Sequence, residues 1–370
     1  MSLTFPGAAR RGARAASPRR LPLWPFSGSE AGAIARLAGP IVLIALVNMG
    51  MSVTDTMMVS WLFGTEALAA VAVGSDFYSI VFYLGAGVIA GLSPFFAKAV
   101  TDKSASEQEK YRKIGGFMTA ATAIPLFPLV WFAPVVFCMD AGSGSRVALA
   151  SGPVDLGAMA EVIRVGIPIG IATVAELGIY LGATLYAATL SAADVAAHTI
   201  ALRLAGVVYA IPLALMQAST VRIARRDGSD RSGVCAAIAT SQTIAVLAGI
   251  GLAALLLAIA PGIAALTFDD TQVGRAAAGL TIGLISLLAA IEFIETPGST
   301  ASGLLRGLKD TRMPMAYVLV GYWLVSAPVG VTLSKALGMG IIGVWIALLL
   351  GSLIAAGLNL LRLRRYWPAT

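Results

Sequence analysis

The stretch Leu68-Ala69-Ala70-Val71 has a counterpart 127 residues downstream, Val195-Ala196-Ala197-His198. The same offset aligns Leu92-Ser93-Pro94-Phe95-Phe96-Ala97-Lys98 with Ser219-Thr220-Val221-Arg222-Ile223-Ala224-Arg225, and Ala133-Pro134 with Ala260-Pro261. Gly39-Pro40 and Ile167-Pro168 match within one residue of it. Each pairing is weak alone, but their agreement over about a hundred residues implies two lobes built on one plan. In a very apolar chain, fused parallel repeats point to a transporter with a cavity between its lobes.

Composition sets the class. Apolar residues make up 58% of the chain and charged residues 12%, with a mean hydropathy of +0.85. Soluble domains carry about 25% charged residues, so this chain could not cover itself with polar surface. It reads as an integral membrane protein in contact with the lipid bilayer. Its 40 glycines and long apolar runs favour helices over a β-barrel, whose strands alternate. The net charge of +7 falls in short loops and tails between apolar spans, which argues against nucleic acid as a partner. Cys138 and Cys235 read as buried free thiols. With His198 the only histidine and no ligand spacing, neither a metal nor another cofactor is expected.

A spanning helix needs about 20 apolar residues. Nine such runs are expected, near 37–60, 75–99, 114–138, 161–189, 197–220, 236–260, 277–304, 313–335 and 340–361. Residues 1–36 form a basic cytosolic tail, 37–138 a first lobe, 139–160 a connector, 161–362 a six-helix second lobe and 363–370 a C-terminal tail. Lys/Arg-rich loops around Lys98–Lys113, Arg222–Arg231 and Arg306–Arg312 are assigned to the cytoplasm. Here a parity problem appears. Three spans separate the first two of those loops, whereas two loops on one side require an even number. The economical solution is a block of three spans missing near residue 150. A re-entrant third span or a connector that crosses the membrane would also restore parity.

The strings Val53-Thr54-Asp55-Thr56-Met57-Met58-Val59 and Glu66-Ala67-Leu68-Ala69-Ala70-Val71 are similar to the first span and loop of multidrug and toxic compound extrusion (MATE) transporters. Gly166-Ile167-Pro168 with Glu176, Ala196-Ala197-His198-Thr199-Ile200-Ala201, Gln217-Ala218-Ser219-Thr220-Val221-Arg222, and Leu305-Arg306-Gly307-Leu308-Lys309-Asp310 resemble later family segments. The resemblance implies an all-α fold normally of twelve spans in two six-helix lobes, here three plus six. It also implies efflux of small organic, cationic compounds by antiport with H+ or Na+, no enzymatic activity, and a monomer in the bacterial inner membrane. Two other readings stand beside it: an inactive truncated paralogue or gene-model fragment, and a flippase for lipid-linked sugars.

Ionisable groups within spans are costly in lipid and therefore mark candidate sites. Asp55, Glu176 and Glu295 are the candidate cation-coupling and substrate residues. Glu295 stands ten residues before Leu305, where the family usually has Asp. Family members that use sodium often carry Tyr one turn earlier, and here that place is Ile291. Glu292, Gln217 and Arg203 are further candidates for the cavity. His198 is expected to serve packing or capping, and Met49, Met51, Met57 and Met58 to pack or to line an apolar cavity.

Overall fold

A computed structural model of the chain describes residues 25–47, 58, 82–131, 155–226, 230–268 and 270–366. Nine helices are found among them: α1 (Gly28–Val47), α2 (Phe82–Thr101), α3 (Ala105–Trp131), α4 (Leu156–Ala187), α5 (Ala192–Ala224), α6 (Arg231–Thr267), α7 (Gln272–Gly307), α8 (Arg312–Ala336) and α9 (Gly340–Leu363, with a final tight turn to Tyr366). All but α3 are long and apolar enough to cross a membrane, which makes eight candidate spans among the described residues. The architecture is all-α, as expected.

Several helices begin earlier than hydropathy suggests, because capping rather than apolarity sets their ends. α4 starts at Leu156, five residues before the expected boundary. The Asp155 side chain accepts from the Ala158 N–H at 2.9 Å, so the end of the expected connector is helix. α5 starts at Ala192, after a reciprocal capping box between Ser191 and Asp194. Asp194 also accepts from the Ile341 N–H at 3.1 Å, and thus fastens the start of α9 to the start of α5. α1 begins at Gly28, inside the stretch read as a cytosolic tail. Glu30 in its first turn is buried and binds Arg222 bidentately (Nη2–Oε1 2.8 Å, Nε–Oε2 3.2 Å), and Arg226 also pairs with it. Hydrophobic contact continues this docking, with Ile34 and Ala38 packed against Ala214, Leu215 and Ala218 of α5 and Ala245 of α6.

The largest core joins α4 to α9, with Ala175, Ile179, Ala201, Leu256, Leu284, Leu288, Tyr322 and Trp345 among its buried members. A second core packs α2 and α3 onto α4 through Phe95, Ile114, Met118, Val162 and Ile169. The α2–α4 crossing depends on glycine. A Cβ on Gly87 would lie 2.3 Å from the Gly170 Cα, and one on Gly91 would lie 2.5 Å from the Gly166 Cα. The four-residue spacing on both helices brings the backbones together, which is how membrane helices associate without a hydrophobic driving force.

The basic loops gather at one end. Lys309 pairs with Glu161 at the start of α4 (3.0 Å) and lies over the Phe95 ring of α2 (4.0 Å). The end of α7 meets the end of α5, where a Cβ on Gly307 would lie 2.5 Å from the Thr220 carbonyl. Lys110 near the start of α3 pairs with Asp155 at the start of α4 (2.9 Å). The loops after α2 and after α5 therefore share a side. α3 departs from that end, and α4 departs from it again.

Candidate functional site

α7 carries Glu295 at mid-length, two residues before Pro297. Proline has no N–H to offer the preceding turn. With its amide oriented to satisfy both groups, Gln242 of α6 donates to the Pro297 carbonyl (3.3 Å) and accepts from the Ala301 N–H (3.2 Å). Gln242 thus bridges the turn of α7 that follows the proline. On the other flank, Gly298 lets α9 approach, since a Cβ there would lie 2.3 Å from that of Ala356.

These contacts shape a cavity of about 40 Å3, room for about three waters. Its charged and polar lining comprises Glu176 of α4, Tyr209 of α5, Glu295 and Arg306 of α7, Tyr322 of α8, and Ser352 and Asn359 of α9. Glu295, Gly298, Ser299, Ser302 and Arg306 form one face of α7, while Ser352, Ala355, Ala356 and Asn359 form the facing stripe of α9. From Glu295 to Arg306 is about 16 Å along α7, toward the basic end. Oε2 of Glu295 accepts from the Tyr322 hydroxyl (3.4 Å) and from Ser352 Oγ (3.3 Å), and those two hydroxyls lie 2.8 Å apart. The Glu176 side chain lines the same cavity as Glu295. Two carboxylates in one small cavity repel when both are ionised, so protonation of one or a cation beside them lowers the energy.

The structure therefore brings Glu176 and Glu295 together, inside the second lobe rather than between lobes. Glu292 lies one turn away, 4% exposed, with its Oε2 buried and unpartnered. Gln217 and Arg203 are exposed and do not line the cavity. Each projects from the outer side of α5, whose inner side carries Met216 and Tyr209 into the cavity. Asp55, Cys138, Met49, Met51 and Met57 lie outside the described residues, and Met58 is exposed. Ile291 is fully buried in the apolar core. Tyr322, Tyr209, Ser352 and Arg306 were not singled out from the sequence as site residues. Their only sequence signal is a polar group within an apolar helix or, for Arg306, a charge counted with a loop.

His198 serves packing. It is 1% exposed; Trp345 Nε1 donates to its Nδ1 at 3.1 Å, and its Nε2 lies 3.0 Å from Thr184 Oγ1. Indole nitrogen can only donate, so Nδ1 is the acceptor and Nε2 carries the proton. Thr184 passes its own hydrogen to the Tyr180 carbonyl at 3.1 Å. The network is closed and ties α5 to α9 and α4.

An all-helical membrane protein with an acid-lined cavity inside a six-helix lobe is the class that fold and site define. The MatE family model matches the chain twice, at residues 40–151 and 168–332, and the chain belongs to that family. It is 37% identical over 208 residues to a probable multidrug resistance protein NorM of Rhizobium meliloti (strain 1021), covering 55% of this chain and 44% of that one. With a protein of the same description from Mesorhizobium japonicum it shares 25% identity over 441 positions, covering 91% of this chain and 94% of the relative. The first curated relatives are matched over less than half of their own length, 46% and 44%. Among solved structures, an outward-facing multidrug resistance MATE family transporter of the MOP superfamily superposes with a TM-score of 0.73 at 16% identity, over 91% of this chain and 95% of that chain. The eukaryotic MATE transporter AtDTX14 gives 0.72 at 17%, over 90% and 95%.

Proposed function

We propose that the chain is built for secondary active efflux of organic cations, in antiport with H+ or Na+, in the bacterial inner membrane. The observation that carries this reading is the Glu176–Glu295 pair in one mid-helix cavity. An acid pair can exchange an organic cation for a coupling ion, and occupancy by one excludes the other. Family membership and relatives described as multidrug resistance proteins support it. H+ is favoured over Na+ because Ile291 stands where sodium users carry Tyr. The test is drug efflux from energised vesicles. Glu295→Gln should abolish the pH dependence of transport and Glu295→Asp should largely keep it. Undiminished pH-coupled efflux in the Gln variant would remove Glu295 from the mechanism.

A second reading is that three family spans are missing from the first lobe. The first family-model match is shorter than the second, 112 residues (40–151) against 165 (168–332). The alignment with the Mesorhizobium relative runs over 441 positions against 370 residues here, so at least 71 positions have no counterpart in this chain. Both fit a missing block, and with it a truncated paralogue or gene-model fragment that does not transport. Sequencing the genomic reading frame around codon 150 decides it. Recovery of a coding block there would identify an artefact. The flippase reading has less support, since Arg203 lies away from the cavity and two acids face Arg306 within it.

A further inference from the structure

α8 changes its winding beside the acid pair. Over Leu319–Ser326 the backbone takes a wider, π-helical turn, and the Ala327 N–H reaches back to the Tyr322 carbonyl. Pro328 follows and has no N–H with which to continue the ordinary ladder. Such widened turns recur at functional sites because they re-aim adjacent side chains. Here the adjacent pair is Tyr322 and Trp323. Tyr322 is 2% exposed and hydrogen-bonds Glu295 and Ser352. Trp323 lies across α4, where its Nε1 donates to the Ala175 carbonyl at 2.8 Å. Ala175 directly precedes Glu176. Gly178 makes room for the indole, because a Cβ there would already lie 3.2 Å from the ring. One turn of α8 thus holds Glu295 by its carboxyl and α4 by the backbone next to Glu176.

We infer that Tyr322 and Trp323 are positioning residues that set the spacing of the Glu176–Glu295 pair and thereby its affinity for a cation. This rests on the acid-pair reading above and adds the elements that tune it. The titratable groups facing Glu295 are Glu176 and Tyr180 from α4, Tyr209 from α5, Glu292 and Arg306 from α7, and Tyr322 from α8. The α9 residues lining the cavity, Ser352, Ala355, Ala356 and Asn359, carry no titratable group.

The test is equilibrium binding of radiolabelled methylammonium, a cation of two heavy atoms suited to so small a cavity, to the purified full chain, with helix content and melting recorded alongside. Glu295→Gln should abolish saturable binding. Tyr322→Phe, which keeps the ring and removes only the hydroxyl, and Trp323→Phe, which removes the N–H together with the five-membered ring of the indole, should each weaken it about three- to tenfold, the worth of one hydrogen bond. Tyr322→Phe should also raise, by about half a unit, the pH at which protons displace half of the probe, because the carboxylate loses a donor. Binding within twofold of wild type in both variants overturns the inference while leaving the acid pair intact. Weaker binding that tracks lost helix content, with no movement of the displacement midpoint, also overturns it and assigns both residues to packing. Wild-type binding that survives Glu295→Gln sinks the acid-pair reading and this one with it.

Discussion

Replacing Glu30 by Gln should loosen α1 from the second lobe. The Glu30 side chain is 6% exposed and faces Arg222 and Arg226, which are 19% and 27% exposed. At about 4 Å between charge centres and an effective dielectric near 20, one such pair is worth about 4 kcal/mol before desolvation. Burying the carboxylate offsets part of this. Removing it strands the Arg222 guanidinium and leaves Arg226 with Asp230 (3.7 Å), and breaking a buried pair costs about 3–5 kcal/mol when both partners are fully enclosed. The partial exposure of the arginines reduces the expectation to about 2 kcal/mol. The assay is a double-mutant cycle of Glu30→Gln with Arg222→Gln, read by denaturant unfolding in detergent at low and high salt. Arg112–Glu109, with side chains 65% and 41% exposed, is the control and should couple by less than about 0.5 kcal/mol. A Glu30–Arg222 coupling no larger than the control, or one that vanishes in high salt, would refute the docking of α1 through a buried ion cluster.

Three further outcomes are expected. Gly166→Ala should destabilise by about 2 kcal/mol, since its Cβ would lie 2.1 Å from the Val88 carbonyl, whereas Gly182→Ala, with nothing within 4 Å, should be neutral or slightly stabilising in the same melt. His198→Phe should cost about 2 kcal/mol by orphaning Trp345 Nε1–H, yet leave cation affinity unchanged, which separates packing from the site. The Asp155 cap should fail in acid. Its carboxyl is held below the usual Asp value by the Ala158 N–H first and then by Lys110, so its contribution is present above the unfolded pKa and is lost as pH falls through the lower folded one. Hydrogen exchange at Ala158 should therefore accelerate only below about pH 4, and an unchanged rate there would remove the cap from the account.

Spans, their apolar stretches and the acid pair were legible because each depends on local chemistry: an apolar run long enough for the bilayer, or a carboxylate in its midst. What escaped depends on partners distant in the chain. Gly28 to Arg36 reads as tail, because nothing nearby announces that Glu30 will meet Arg222 and Arg226, nearly two hundred residues away. Arg306 reads as a loop charge because counting basic residues locates a membrane side but not the face of a helix. Tyr322 and Ser352 are neutral; a Ser or Thr hydroxyl in a span can bond its own backbone, as Thr332 does with Pro328 at 2.8 Å, and a Tyr there can serve packing alone. Only their convergence on Glu295 distinguishes them. Gln217 and Arg203 misled for the converse reason. A polar residue within a span invites a cavity role, yet both fall on the exposed face of α5.

Every residue lining the cavity belongs to α4, α5, α7, α8 or α9, and the core that supports them is drawn from α4 to α9. The cation site proposed at Glu176 and Glu295 therefore belongs to the second lobe, whereas alternating access requires two lobes that move against each other. The two can fail separately. If three spans are absent from the first lobe, the chain should bind methylammonium with an affinity that Glu295→Gln removes, and yet give no concentrative efflux from energised vesicles. Restoring a coding block near codon 150 should then recover efflux without changing that affinity, because no cavity residue lies near the insertion. An affinity altered more than threefold by the restored block would show that the first lobe shares in the site, and would refute the assignment of binding to the second lobe alone.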